Sequence, residues 1–227
     1  MDTRITQQWT RRQFVVGVSA ASALATSSLS ALAQAHSESK VSADEAIREL
    51  VAGNQRFIAG KLSSFGEDVK ILQAKTVSKQ EPFAAVLACA DSRVPVEILF
   101  DQSIGQLFLT RVAGNVVTPE IIASLEYGVA VLGIKAILVM GHTNCGAVSA
   151  AVAGKEVPGQ ISALYQHLMP GIADAKGDIP LAIKMNAAYQ AQLLSKSSTV
   201  IAKAIHEGSV KVVSAVYDLA SGKVIFL

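Results

Sequence analysis

Two short apolar runs in this 227-residue chain each end in a cluster of side chains able to hold a metal, and that pairing constrains the fold more than any other feature. Residues 83–88 are continuously apolar after Pro82 and run into Cys89, Ala90, Asp91, Ser92 and Arg93. Residues 136–140 run in the same way into Gly141, His142, Thr143, Asn144 and Cys145. Runs this short and uniformly apolar suit strands buried on both faces, as parallel sheets require. In open α/β sheets, sites form outside the carboxyl ends of such strands.

The rest of the chain fits that architecture. Ser42 with Glu45 three residues on reads as a capping box, opening an amphipathic helix through Ala46, Ile47, Leu50, Val51, Phe57 and Ile58 that Gly60 ends. Residues 61–81 are polar and mixed. Residues 107–112 read as another strand, 119–132 as a helix with Pro119 at its first turn, 146–153 as a small apolar helix, and 179–206 as one long helix. Residues 210–217 and 224–226, separated by Ser221-Gly222, read as a final strand and hairpin. Alternation of this kind predicts an α/β fold with a mostly parallel central sheet flanked by helices.

The chain has two cysteines, Cys89 and Cys145, one in each cluster. Thiolate sulfur and imidazole nitrogen are donors that zinc prefers, so Cys89, His142 and Cys145 make a candidate ligand set, with Asp91 as a more weakly held fourth donor. Two residues from Asp91 stands Arg93, whose guanidinium can draw the carboxylate off the metal and open a position for water. A disulfide is the competing reading for two cysteines in an exported protein. It leaves the His three residues before one thiol and the Asp-x-Arg after the other unexplained. The metal reading accounts for more residues.

Export is itself an expectation. Arg11 and Arg12 precede an apolar, small-residue stretch over residues 15–32 that ends in Ala33, Gln34 and Ala35, the pattern of a twin-arginine secretory signal cleaved after Ala35. The stretch is rich in Ser, Thr and Gly and short for a bilayer span, which argues against a stable membrane anchor. The expected organisation is therefore a leader over 1–35 and a single domain over 36–227, acting in the periplasm. The leader carries three arginines and one aspartate, so the remainder has 17 basic and 17 acidic residues. A balanced charge implies no nucleic-acid partner.

The segments Cys89-Ala90-Asp91-Ser92-Arg93-Val94-Pro95, Arg111-Val112-Ala113-Gly114-Asn115 and Gly141-His142-Thr143-Asn144-Cys145-Gly146 together resemble the β-class carbonic anhydrases. The resemblance implies zinc held by Cys89, His142 and Cys145, an Asp91–Arg93 dyad that opens the metal, and reversible hydration of carbon dioxide to bicarbonate and a proton. It further implies substrate-pocket positions at Gln102, Gly114 and Gly141, and a homodimer or tetramer in which the N-terminal helix forms an arm around the neighbour. Two thiolates donate more charge to zinc than neutral imidazoles do, so a bound water should be less acidic than at a three-histidine site. The alternatives are a hydrolase of carbon disulfide or carbonyl sulfide on the same fold, and a non-enzymatic zinc- or bicarbonate-binding module.

Overall fold

A computed structural model describes residues 41–64, 70, 74 and 76–227. The expected leader, residues 1–35, lies outside the described residues.

Five strands form one sheet, in the order β2 (Leu107–Arg111), β1 (Ala84–Ala88), β3 (Ala136–His142), β4 (Lys211–Tyr217), β5 (Val224–Phe226). The first four are parallel and β5 returns antiparallel to β4. All five residues of β1 and all seven of β3 are buried, as their unbroken apolar character requires. β3 continues two residues past the predicted end. β4 carries the ladder on, pairing Gly141 with Val216 and His142 with Tyr217, so His142 is itself a strand residue.

Alternate side chains of the two central strands feed opposite layers. Ala84, Val86, Ala88, Leu138 and Met140 pack with Ala46 and Leu50 of α1 (Ala43–Ile58) and with Val96 and Leu99 of the single-turn α2 (Val96–Leu99). Ala85, Leu87, Ile137 and Val139 pack with Leu125 of α3 (Pro119–Ala130), Ala191 and Leu194 of α6 (Ile179–Ser197) and Ile201 of α7 (Thr199–His206). A third cluster gathers Cys89, Val116 and Cys145 with Val148 of α4 (Gly146–Val152), Leu168 of α5 (Tyr165–Ile172) and Ile183 of α6. It closes the carboxyl end of the sheet around the two cysteines.

The capping box forms as expected. The Glu45 amide donates to Ser42 Oγ at 3.2 Å, and Glu45 Oε2 accepts from the Ser42 amide at 2.7 Å. Val51 and Ile58 of α1 stay exposed, which leaves part of its apolar surface uncovered. The helix predicted over 179–206 is two helices. Ser198 adopts an extended backbone (φ −106°, ψ 119°), its Oγ accepts from the Ile201 amide at 3.0 Å, and its hydroxyl donates to Glu126 at 2.6 Å. A serine offered both a cap and a carboxylate acceptor favours the break over continuation.

Candidate metal centre

Cys89 follows the last residue of β1, His142 ends the neighbouring β3, and Cys145 sits at the N-cap of α4 three residues later. Parallel pairing in register brings these strand ends together. The two sulfurs and a ring nitrogen of His142 all lie within 4.8 Å of one another, and all three residues are buried.

His142 is oriented by its own turn. Its Nδ1 lies 2.9 Å from the Thr143 carbonyl, so the Nδ1 proton is donated there and the Nε2 lone pair is turned inward. Nε2 is fully buried with no hydrogen-bond partner. A buried, unpaired acceptor facing two thiols is costly unless a cation completes it, and zinc suits a donor set of two sulfurs and one imidazole. The residues therefore fit the ion.

The electrostatics agree. The Cys89 thiol is lowered by hydrogen bonding from Cys145, with further help from His142 and from backbone amides. Cys145 is pushed up by the facing Cys89 and by burial. Burial resists a charge on His142, yet Cys89, the Thr143 carbonyl and Asp91 together outweigh it and raise the imidazole. Two thiols compete here for proton loss while an imidazole is drawn toward the cationic state, which is how a pocket built for positive charge behaves.

Asp91 stands beside this triangle, its Oδ2 3.8 Å from His142 Nε2. The carboxylate is engaged by Arg93 through Nε to Oδ1 at 3.0 Å and Nη2 to Oδ2 at 2.8 Å, and its pKa is held well below the usual carboxylate range mainly by that guanidinium. Arg93 Nη2 also donates to the Asn144 carbonyl at 3.3 Å, joining the two ligand loops. Arg111 braces the first loop from below, Nε donating to the Cys89 carbonyl at 2.9 Å and Nη2 to the Asp91 carbonyl at 2.6 Å.

The expected pocket residues fall in three different places. Gly114 lies against the metal triangle. Its backbone is left-handed (φ 77°), its amide donates to Cys89 Sγ at 3.3 Å, and a Cβ there would stand 3.1 Å from Leu168. Gly141 faces α6, where a Cβ would stand 3.4 Å from both Cγ2 and the carbonyl oxygen of Ile183, so its smallness lets helix and strand pack. Gln102 is buried and donates to Glu49 at 3.1 Å and to the Phe100 carbonyl at 3.0 Å, and it lines a cavity of about 400 Å³ with Glu97, Ile98 and Ile104. A larger cavity of about 590 Å³ opens beside the second ligand loop, lined by Thr143, Asn144, Ile179, Ile183, Val216 and Leu227.

Two buried amides on α6 escaped the sequence reading. Asn186 Nδ2 donates to the Gly114 carbonyl at 2.9 Å. Gln190, one turn on, accepts from the Val117 amide at 2.8 Å and donates to Asn186 Oδ1 at 3.1 Å and to the His167 carbonyl at 2.8 Å. The available signal was a polar pair at i, i+4 on the apolar face of a helical pattern.

With this fold and site in place, comparisons identify the class. A family model described as "Carbonic anhydrase" matches residues 84–224. Carbonic anhydrase 2 of Mycobacterium tuberculosis is 33% identical over 193 residues, spanning 82% of this chain and 91% of its own. The β-carbonic anhydrase of Coccomyxa, solved with acetazolamide, superposes with a TM-score of 0.62 at 25% identity over 78% of this chain and 84% of its own. One of two tetrameric β-carbonic anhydrases of Sordaria macrospora shares the fold at a TM-score of 0.62 and 22% identity, over 81% of this chain and 97% of its own. The chain belongs to the carbonic anhydrase family, and its fold is that of the β class. These are zinc enzymes that interconvert carbon dioxide and bicarbonate.

Proposed function

We propose that in this chain Cys89, His142 and Cys145 hold the zinc, and that Asp91 and Arg93 act as a gate during carbon dioxide hydration. The observation that carries the reading is the juxtaposition of the Arg93-bound Asp91 carboxylate with the unpartnered Nε2 of His142, 3.8 Å away. When bound, zinc acidifies a water and so supplies a nucleophile near neutral pH. Asp91, kept ionised by Arg93, would accept a hydrogen bond from the nucleophilic water or hydroxide and so orient its lone pair toward the carbon of carbon dioxide. Should Arg93 let go, the same carboxylate would be free to serve as a fourth donor and would shut the site to substrate. Arg111 and the His142–Thr143 bond keep the ligand backbone and the imidazole oriented throughout.

The test is carbon dioxide hydration by purified protein of measured zinc content. Activity that scales with zinc occupancy is expected. A zinc-replete protein that leaves carbon dioxide unhydrated overturns the reading.

Residues 1–35 are proposed to form a twin-arginine leader, cleaved after Ala35 to release 36–227 into the periplasm; the support is the Arg11-Arg12 pair before an apolar, small-residue stretch. Changing both arginines to lysine should hold the protein in the cytoplasm, and unaltered fractionation overturns the proposal. Among the described residues no helix is long and apolar enough to cross a membrane. A homodimer or tetramer is proposed on the exposed Val51 and Ile58 of α1, which a neighbouring subunit would cover. Sedimentation as a monomer at micromolar concentration would refute it.

A further inference from the structure

The loop that follows β2 reaches the metal triangle through one backbone group. Gly114 donates its amide to Cys89 Sγ, and it does so from a left-handed conformation (φ 77°, ψ 10°) followed directly by a second left-handed residue, Asn115 (φ 47°). Two consecutive residues in that region are uncommon even for glycine and asparagine, and a contact from outside the loop helps to fix them. α6 supplies it: Asn186 Nδ2 binds the Gly114 carbonyl, while Gln190 Oε1 binds the Val117 amide three residues on.

Both amides are completely buried, and each determines how the other points. Gln190 gives its Nε2 protons to the His167 carbonyl and to Asn186 Oδ1, which forces its Oε1 toward Val117 and leaves Asn186 Nδ2 for Gly114. A flip of either side chain would set donor against donor at two fully buried amides. The loop is thus pinned at both ends by a self-consistent pair.

We infer that Asn186, locked by Gln190, is a positioning residue for the metal centre, holding the Gly114 amide on the Cys89 sulfur and thereby limiting how much charge that sulfur donates to the ion. An N–H···S bond withdraws electron density from a thiolate and fixes the direction of its lone pairs. Losing it makes the sulfur a stronger but less directed donor. Changes to partners of this kind cost about 10-fold or more in metal affinity. The inference rests on the reading of Cys89 as a ligand.

The experiment replaces zinc with cobalt(II) and compares wild type, Asn186→Ala, Gln190→Met and Leu168→Ala. Leu168 packs against the same loop through carbon alone, so its truncation removes packing and leaves the loop's hydrogen bonds to α6 intact. The wild type should show a sulfur-to-cobalt charge-transfer band. In Asn186→Ala that band should move to longer wavelength and the affinity for metal, read by competition with a chelator, should fall about 10-fold. Gln190→Met, a milder change available if Asn186→Ala fails to fold, should shift the band in the same direction by less. Leu168→Ala should lower thermal stability and leave the band in place. An unmoved band in both amide variants overturns the inference even if their stability falls. A wild-type protein with no such band overturns the ligand reading itself.

Discussion

Arg93 grips Asp91 at both carboxylate oxygens, and the Arg93 backbone amide adds a third bond to Oδ1 at 2.9 Å. Three donors on one carboxylate, two of them from a single guanidinium cation, explain why Asp91 stays ionised although burial opposes it. The pair is nevertheless partly wet, with the Arg93 side chain 53% exposed, so solvent screens much of its energy. A modest pair set beside three metal donors is a competition that a small change can tip, which is the physical requirement for a gate.

Loss of metal should be the first consequence of altering the sulfurs. Cys89→Ser and Cys145→Ser are each expected to purify without stoichiometric zinc. With free metal 1,000-fold above Kd, bound zinc stabilises the fold by about 4 kcal/mol, so a fall in Tm of roughly 10 °C is expected. Chelator-stripped wild type should melt at the same lowered temperature. Calorimetry of the three forms checks this, and a serine variant that keeps its zinc would contradict it.

Asp101 anchors the segment after α1 and should carry a pH signature. It is fully buried with a left-handed backbone (φ 47°), and it accepts from Arg56 Nε at 2.5 Å, from Ser63 through both amide and hydroxyl, and from the Ser64 amide. Burial raises its pKa, but these donors outweigh that and bring it down to about 2. A folded pKa below the unfolded value stabilises the protein above roughly pH 4, and the contribution disappears as pH falls through about 2. Asp101→Asn is expected to cost about 2–3 kcal/mol at pH 7 and progressively less below pH 4, as read by denaturant unfolding across pH.

Gly53 is where α1 meets the chain after α2. A Cβ there would fall 1.8 Å from the Phe100 carbonyl oxygen, and the adjacent Asn54 ties the same region through Nδ2 bonds to the carbonyls of Leu99 and Gly222. Because the obstacle is backbone rather than a movable side chain, Gly53→Ala should destabilise by about 1–3 kcal/mol despite alanine's better helix propensity. Urea denaturation measures it, and a neutral or stabilised variant would show that α1 can lift from its seat at no cost.

Much of this was legible before any coordinates. Continuous apolar character announced β1 and β3 as buried strands, and the Ser42/Glu45 spacing announced the start of α1, because both signals are local. The division between α6 and α7 was hidden because the apolar periodicity runs on through Ser198. Only the tertiary partner Glu126 reveals that the serine caps instead of continuing the helix. The clustering of Cys89, His142 and Cys145 follows from chemistry and strand order, whereas the roles of Asn186 and Gln190 depend on a loop 72 and 73 residues away in sequence that spacing cannot locate. At Gly141 the structure adds a close approach to Ile183 of α6, a packing contact between distant segments that a local motif does not name.

The gate is tested most directly by the metal coordination and activity of Arg93→Ala, measured on the same zinc-quantified sample. Without the guanidinium, no cationic side chain among the described residues is hydrogen-bonded to Asp91, and the carboxylate is free to turn to a bound metal. The account predicts full zinc content, near-complete loss of carbon dioxide hydration, and an Asp91 oxygen about 2.0–2.2 Å from zinc in the crystal structure. Substantial activity with Asp91 off the metal would contradict it.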